Sequence, residues 1–234
     1  MPTLINEITV DGTAGSGTSS FTEALAAKLN ELQNSRWSYL SSGSIYRALA
    51  WYMIEKCGCK LTDEDMPSLL TETLVKIAEA AIINQFTDGC VAMINDHLVT
   101  SEELALMGDQ AKIVAALPGI REVVRRIQRS YVKAYGPCII EGRDIGTVVF
   151  PNAPIKIWMD AALETRAGRR SQKEGRIVTP EELAERDAAD YDREDCPMRQ
   201  PDDAIVLDST FTTVDELIEL ILLEDAFQDL LVPA

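Results

Sequence analysis

The chain has 234 residues, of which 46% are hydrophobic and 26% are charged. This length and composition are typical of a globular enzyme with one large α/β domain and a smaller insertion. The formal net charge of −16 argues against nucleic acid or an anionic membrane surface as a partner, because both would repel an acidic protein. No apolar run approaches the ~20 residues that span a bilayer, and no basic region of the kind that begins a signal peptide is present. We therefore expect a cytoplasmic protein.

Strand-like and helical patterns alternate along most of the chain. The strand-like runs are short, apolar and rich in β-branched residues, and they cover residues 7–10, 37–40, 138–140, 155–159 and 204–207. Alternation of this kind predicts a parallel sheet with helices on both faces. Capping boxes that begin at Thr179 and Thr213 mark the starts of two of these helices.

Residues 57–106 have a different pattern. A helical stretch at 71–81 leads into strand-like runs at 82–86, 91–94 and 98–99, which the turn-forming pairs Asp88-Gly89 and Asn95-Asp96 separate. Short strands joined by such turns predict an antiparallel arrangement. We interpret this region as a small mixed α/β insertion beside the main sheet.

The segment between the first strand and the first helix has the glycine pattern of a phosphate-binding loop without its lysine. It consists of Gly12, Thr13, Ala14, Gly15, Ser16, Gly17, Thr18, Ser19 and Ser20. In the pattern G-x-x-x-x-G-K-[ST], glycines let the backbone N–H groups surround phosphate oxygens, and the helix that follows adds its positive end. We expect all nine residues to bind ATP, with the Ser19 hydroxyl as a weak Mg²⁺ ligand. A glycine-rich turn with no ligand is the structural alternative.

Polar segments also follow two further strands, at the sheet edge where ligands bind in open parallel sheets. The first runs from Ser41 to Arg47, and we expect Ser42 or Ser44 to cap the next helix, with Arg47 in its first turn. The second is residues 141–144, Glu-Gly-Arg-Asp, after the strand at 138–140. A serine that caps a helix can be explained by its structural role alone. An arginine and an aspartate that directly follow a buried strand need partners, so they favour a functional site at this edge.

Twelve of the 14 arginines lie between residues 121 and 199. One predicted helix carries three of them, and a later one carries two more with an aspartate at spacings of four and three: Arg166, Arg169, Arg170, Arg186, Asp190 and Arg193. A helix–loop–helix segment in which both helices carry arginines is typical of a lid that closes on phosphates. The structural alternatives are an exposed stripe and helical ion pairs such as Glu122 with Arg126.

Together these segments resemble bacterial cytidylate (CMP/dCMP) kinases, a nucleoside monophosphate kinase family, over nearly the whole chain. The segments that carry the resemblance are residues 8–12, 42–50, 114–122, 141–151 and 204–210. The most specific is the run Gly-Arg-Asp-Ile-Gly-Thr-Val-Val-Phe-Pro at 142–151. The resemblance implies a P-loop NTPase-type core of residues 1–56 and 107–234, with a helical lid at about 166–193 and a monophosphate-binding insertion at 57–106.

The resemblance also implies a reaction: transfer of the γ-phosphoryl group of ATP, with Mg²⁺, to CMP or dCMP in a monomeric enzyme of pyrimidine nucleotide metabolism. The positions implied to hold the acceptor nucleotide are Ser42, Tyr46, Arg47, Arg121, Arg143, Asp144, Arg186, Asp190 and Arg193. Arg121 and Asp144 match positions that contact the cytosine, and Asp190 matches a contact to the sugar. The resemblance assigns catalytic roles to Arg143, Arg186 and Arg193, and it assigns ATP binding at the lid to Arg166 and Arg170.

Two functional positions depart from the family. Thr18 replaces the loop lysine, and losing one preorganised charge at a transferring phosphate costs on the order of 10²–10³-fold in rate. Three outcomes follow from that loss: a lid arginine substitutes, the enzyme is slow, or the chain is a pseudo-kinase that binds nucleotide without turnover. Lys112 stands where the family presents a serine to the cytosine. Three positions are open to this lysine: a contact with the base, an ion pair with Asp109, or the solvent. Because the family serine is absent, UMP or another monophosphate is an alternative acceptor.

Overall fold

The computed structural model describes residues 7–33, 36–61, 68–80, 83–87, 91–95, 97–117 and 119–231. The chain divides into two compact units, which we call the large unit (Met1–Tyr39 with Tyr135–Ala234) and the small unit (Leu40–Ala134). The predicted Asp88-Gly89 turn, and Asp96 of the next predicted turn, lie outside the described residues. The assignment of residues 57–106 to monophosphate binding stays a prediction.

The described elements alternate between strands and helices. In chain order the strands are β1 (Glu7–Gly12), β2 (Ser38–Ser41), β3 (Ile83–Thr87), β4 (Val91–Ile94), β5 (His97–Val99), β6 (Cys138–Gly142), β7 (Ile155–Asp160) and β8 (Ile205–Asp208). The helices are α1 (Thr18–Gln33), α2 (Ser42–Trp51), α3 (Ser68–Ala80), α4 (Ser101–Leu106), α5 (Gly108–Ala116), α6 (Ile120–Tyr135), α7 (Leu163–Glu174), α8 (Pro180–Tyr191), α9 (Val214–Ile221) and α10 (Asp225–Leu231). Two π-helical segments cover Tyr52–Lys56 and Ile145–Val149.

The main sheet has the strand order β2-β6-β1-β7-β8. β1 pairs in parallel with both β6 and β7, and β7 pairs in parallel with β8. Because β1 lies in the middle of the sheet, the loop that follows it emerges between the carboxyl ends of β6 and β7. The parallel sheet predicted from the alternating pattern is therefore confirmed.

The core of the large unit lies between this sheet and the helices that cover it. Ile8 and Val10 of β1 and Phe21, Leu25 and Leu29 of α1 are fully buried in one cluster. Burying one such side chain contributes roughly 1.5–3 kcal/mol. The spacing of the three α1 residues gives the helix one apolar face, and α1 also packs against α9. This packing fixes the start of α1, and with it the glycine loop.

The small unit contains the predicted antiparallel strands. β3, β4 and β5 form a three-stranded sheet in that order, with β4 antiparallel to both neighbours. Helix α2 packs against β4 and against α5. Among the described residues, no helix combines the length and the apolar composition needed to span a bilayer.

The predicted caps of two helices are present and one is wrong. Thr179 and Thr213 form capping boxes with Glu182 and Glu216. At α2, however, neither Ser42 nor Ser44 is the cap, because Ser42 is already the first helical residue and the cap position is Ser41, which makes no side-chain capping bond. The helix follows β2 without an intervening loop, so Arg47 lies in the second turn rather than in the predicted first turn.

The predicted helix face at the end of α8 also needs correction. Arg193 lies beyond the last helical residue, Tyr191, and so does not share a helix with Arg186 and Asp190. The chain folds back there, because the N–H of Met198 donates to the carbonyl of Asp190 at 2.8 Å and satisfies a group that the helix end leaves open.

Candidate active site

The glycine loop has a backbone conformation that its glycines make possible. Gly15 and Gly17 have φ values of 85° and 95°, where a side chain would be strained. A Cβ on Gly12 would lie 2.2 Å from the carbonyl oxygen of Met159, so the loop leaves β1 in direct contact with β7. Turns of this kind point successive N–H groups into a concavity that suits an anion. The glycine dihedral angles are therefore compatible with the predicted phosphate-binding loop, whose role stays a prediction.

The hydroxyls that follow the loop bond a carboxylate. The Oγ1 of Thr18 donates to Oε2 of Glu141 at 2.9 Å, and the Oγ of Ser19 donates to Oε1 at 3.2 Å. Glu141 is a buried residue near the end of β6. It belongs to the polar segment 141–144 that the sequence predicts at the ligand-binding edge of the sheet, but the sequence assigned it no role, because its contact with the loop depends on the tertiary fold. The lysine position is thus occupied by a neutral hydroxyl, that of Thr18, which donates a hydrogen bond to the Glu141 carboxylate.

The oxygen atoms at this place suit Mg²⁺. The Ser19 hydroxyl and the Glu141 carboxylate are hard donors, and Mg²⁺ bound with a nucleotide takes one or two protein ligands together with phosphate oxygens and water. Within the described residues, no group of three or more His, Cys, Asp or Glu side chains could hold a metal by itself. The donor set fits a nucleotide-bound Mg²⁺ rather than a site built from protein ligands alone.

Arg166 clamps the glycine loop to α8. Its Nη1 donates to the carbonyl oxygen of Ala14 at 3.0 Å and to Oδ2 of Asp187 at 2.5 Å. The other carboxylate oxygen of Asp187 accepts the N–H of Ala14 at 3.0 Å. Arg166 and Asp187 are both buried, so the two partners neutralise each other away from water. This arrangement braces the loop between α7 and α8.

Two more arginines of α7 lie along the loop. A Cβ on Gly15 would lie 3.2 Å from Cγ of Arg170, and the Arg170 guanidinium pairs with Glu174. Arg169 donates to the hydroxyl of Ser209 at 2.9 Å, and that hydroxyl donates to the carbonyl oxygen of Ser16 at 2.7 Å. Helix α7, with which the predicted lid begins, therefore packs directly on the glycine loop.

A cluster of guanidinium groups surrounds one buried carboxylate. We call Arg143, Arg186, Arg193 and Asp190 the arginine cluster. Nε of Arg143 lies 3.4 Å from Oδ2 of Asp190, and Arg193 pairs with the other oxygen of the same carboxylate. Burial is the main cause that lowers the pKa of Arg186 to about 10, and the positive charges of Arg143 and Arg170 lower it further. Positive charge exceeds negative charge here, so the cluster favours an added anion.

Asp11 connects β1 to the segment that carries Arg143. Its carboxylate accepts the N–H groups of Ile145 at 2.9 Å and of Gly146 at 2.7 Å. Burial raises the pKa of Asp11 to about 7, and nearby Asp144 adds to that rise, while the two N–H groups and Arg143 oppose it. The first turn of the π-helical segment is thereby tied to the last residues before the glycine loop.

The small unit carries four of the predicted acceptor-binding residues. Ser42 is buried in the first turn of α2, and Tyr46 and Arg47 lie one turn later. The Arg121 guanidinium carbon lies 5.9 Å from the centre of the Tyr46 ring, a cation–π contact. Arg121 is 8% exposed on α6, so its charge is held inside this unit.

Of two ion pairs considered from the sequence in the small unit, one is present and the other forms with a different arginine. Lys112 is exposed and its Nζ lies 2.7 Å from Oδ1 of Asp109, which is the pairing alternative among the three predicted for this lysine. On α6, Glu122 pairs with Arg125 at 2.7 Å, three residues away, whereas the predicted partner is Arg126.

Comparison with protein-family models matches the family described as cytidylate kinase to residues 8–226. Curated cytidylate kinases from Pseudomonas fluorescens (strain Pf0-1) and Stutzerimonas stutzeri (strain A1501) are 36% and 37% identical, and each alignment covers 95% of this chain and 96% of the relative. A cytidylate kinase from Serratia proteamaculans (strain 568) is 39% identical, over 91% of this chain and 90% of its own. These matches confirm the resemblance found in the motifs and the expectation of a nucleoside monophosphate kinase. The chain belongs to the cytidylate kinase family.

Proposed function

We propose that the protein transfers the γ-phosphoryl group of ATP to CMP or dCMP, giving ADP and CDP or dCDP in pyrimidine nucleotide metabolism. The observation that carries this proposal is the arginine cluster, in which Arg143 and Arg193 pair with the carboxylate of Asp190 and the buried Arg186 lies in a field of like charges. A site that keeps unbalanced positive charge in the fold is suited to a substrate with several negative charges. Family membership favours phosphoryl transfer over a pocket that only binds nucleotide.

The donor side of the reaction lies at the glycine loop. The loop N–H groups and the start of α1 would bind the phosphates of ATP, and Arg166 keeps the loop in shape through Ala14. Ser19 and Glu141 would hold Mg²⁺ with the phosphates. Bound Mg²⁺ would neutralise charge on the phosphate oxygens and help to fix their geometry.

The transfer itself asks the protein for position and charge. An oxygen of the acceptor phosphate attacks the γ-phosphorus, and the bond from that phosphorus to the β–γ bridging oxygen breaks, so its electron pair leaves with ADP. No side chain needs to form a covalent bond. We assign Arg143, Arg186 and Arg193 to charge neutralisation around the migrating group, where preorganised donors contribute most to the rate.

The acceptor side is assigned from the family resemblance. Ser42, Tyr46, Arg47 and Arg121 are proposed to hold the acceptor nucleotide, with Asp144 contacting the base. An ionised Asp144 would accept a hydrogen bond from the exocyclic amine of cytosine, whereas uracil has a carbonyl oxygen there, which favours CMP over UMP. The pairing of Lys112 with Asp109 supports a base contact that does not depend on that lysine. A monomer in the cytoplasm is also part of the proposal.

A steady-state assay of ADP formation with CMP, dCMP, UMP, AMP and dTMP tests the proposed function. We expect CMP and dCMP to support turnover with a higher kcat/KM than the other three. ATP binding is measured separately by calorimetry, so that binding and turnover are distinguished. Binding of ATP with no phosphorylation of any acceptor would establish the pseudo-kinase alternative, and a preference for UMP would contradict the role of Asp144.

A further inference from the structure

The glycine loop has no cation of its own over the phosphates that it is shaped to hold. Thr18, at the lysine position, uses its hydroxyl to bond the carboxylate of Glu141. In the P-loop pattern, that lysine reaches the β- and γ-phosphates. If the proposed function holds, a cation from elsewhere in the fold must supply this charge, because the developing charge on the phosphates is large.

Arg166 is unsuited to supply that charge, because its Nε and Nη1 already bond buried groups of the fold. Its Nε donates to the carbonyl oxygen of Ala161 at 2.9 Å. Its Nη1 bonds the carbonyl oxygen of Ala14 and the carboxylate of Asp187. Moving this guanidinium would leave buried partners unsatisfied, which costs on the order of 1–3 kcal/mol for each group.

Two other nearby arginines are also committed. Arg169 donates to both the hydroxyl and the carbonyl oxygen of Ser209, at 2.9 and 2.5 Å. Arg176 is exposed and pairs with Glu174 at 3.0 Å and Glu182 at 3.1 Å. Its side chain is 53% exposed, which is unsuited to a group that acts in a water-excluded site.

Arg170 differs from these three in its contacts. Its Cγ lies 3.2 Å from the place of a Cβ on Gly15, so its side chain passes directly along the bend of the loop. Its Nε is buried and makes no hydrogen bond in the structure, and its ion pair is with Glu174 on its own helix. The positive charge of Arg170 also lowers the pKa of Arg186, so Arg170 is close to the arginine cluster as well as to the loop.

We propose that Arg170 takes the place of the missing loop lysine and contacts the β- and γ-phosphates of ATP with its guanidinium. The proposal rests on the proposed function, because it assigns a donor for that reaction. The Nε of Arg170 is buried without a hydrogen-bond partner, and its carboxylate partner among the described residues lies on its own helix. A second anion can therefore be added without breaking a buried network that joins distant parts of the fold.

A double-mutant cycle of Arg170→Gln with Thr18→Lys tests this assignment. Glutamine keeps the Cγ atom that lies beside Gly15, so the change removes charge with little loss of packing. With Thr18 in place, we expect Arg170→Gln to lower kcat about 10²-fold. In the Thr18→Lys background, we expect the same change to lower kcat less than about 10-fold, because two groups that supply one function are not additive. Arg176→Gln, which removes another partner of Glu174, is the matched control and should leave kcat within about twofold.

Equal losses in the two backgrounds would overturn the assignment, because they would show that Arg170 and the lysine position act independently. A conservative variant keeps the test decisive if Thr18→Lys does not fold. Arg170→Lys should then retain more activity than Arg170→Gln, with the KM for CMP unchanged, and an Arg170→Gln variant as active as Arg176→Gln would refute the proposal. No CMP-dependent turnover in the wild type or in Thr18→Lys would instead refute the proposed function together with this assignment.

Discussion

The glycine loop and the arginine cluster are both suited to phosphate, but the fold treats charge differently in each. At the loop, carboxylates outnumber cations among the charged partners: Glu141 bonds Thr18, Asp187 bonds the N–H of Ala14, and Asp160 bonds the hydroxyl of Thr13 at 2.6 Å. The guanidinium that bonds the loop, that of Arg166, is itself paired with Asp187. In the cluster, Arg143 and Arg193 pair with the carboxylate of Asp190, and Arg186 is close enough to be affected by its charge. The loop offers an anion backbone dipoles, whereas the cluster offers it net positive charge.

This difference shows why the loop can lose its lysine and keep its shape. The loop conformation depends on glycine dihedral angles and on hydrogen bonds to Asp187, Arg166 and Ser209, and none of these involves residue 18. The cluster has no such independence, because burial and like charges already oppose the charged form of Arg186. Loop shape and phosphate charge are therefore separate properties of this site.

The largest effect is expected from Arg143→Ala, which removes a cluster arginine beside β6. We expect kcat to fall by about 10³-fold or more, since an arginine at a transferring phosphoryl group contributes about 10³–10⁵-fold. The KM for CMP should rise, and ATP binding, measured by calorimetry, should change by less than about threefold. If ATP binding is lost while CMP binding is kept, Arg143 belongs to the donor side and the comparison of loop and cluster is wrong.

The sequence was sufficient to predict the parts of this comparison that depend on local pattern. The glycine loop, the strand before it and the helix after it follow from residues 7–33 alone, because short-range spacing of β-branched and apolar residues sets both periods. The capping boxes at Thr179 and Thr213 were predictable for the same reason, since cap and partner are three residues apart. The Gly-Arg-Asp run and its family resemblance likewise predict a role for Arg143.

The contacts that join distant segments could not be predicted. Glu141 meets Thr18 from 123 residues away, and Asp187 meets Ala14 from 173 residues away, so both bonds depend on the tertiary fold. The position of Arg193 outside α8 likewise depends on the backbone bond from Met198 that ends the helix. Helical spacing alone placed this arginine on a helix, because the pattern contains no information about where the chain folds back.

A second, smaller effect on turnover is expected from Arg186→Met, with an opposite effect on stability. Loss of one preorganised donor should lower kcat on the order of 10²-fold. The lowered pKa of Arg186 means that folding disfavours its charged form at neutral pH, so the variant should be more stable by on the order of 1–3 kcal/mol at pH 7. Urea unfolding and steady-state kinetics on the same samples provide both measurements.

The matched control for that variant is Arg176→Met, which changes an exposed arginine in the loop between α7 and α8. It should alter the free energy of unfolding by less than about 0.5 kcal/mol and leave kcat nearly unchanged. A less stable Arg186→Met variant would mean that Arg186 is held in a structural ion-pair network. The cluster would then have no excess positive charge to distinguish it from the glycine loop.

The smallest effect on turnover is expected from Asp11→Asn, which changes the connection between the loop strand and the Arg143 segment. The amide keeps one acceptor but opposes the second N–H with a donor, so we expect kcat to fall about 10-fold through a displaced Arg143. The pH dependence of stability should change more clearly. The pKa of Asp11 is raised from 3.8 to about 7, so the folded protein binds this proton more tightly than the unfolded chain does. The resulting contribution to stability is complete below about pH 4 and is lost as the pH rises to about 7.

Asp11→Asn removes that titration, so the wild type should lose up to about 4 kcal/mol of unfolding free energy relative to the variant between about pH 4 and 7, with a constant difference above about pH 8. Asp144 and Arg143 are the charged groups that act on Asp11, and neither is changed by the substitution. The measurement is chemical unfolding at each pH, with Asp202→Asn, an exposed aspartate, as the control. A difference that does not vary with pH would show that Asp11 is ionised throughout this range. The N–H groups of Ile145 and Gly146 would then be sufficient to stabilise the buried carboxylate to which the Arg143 segment is tied.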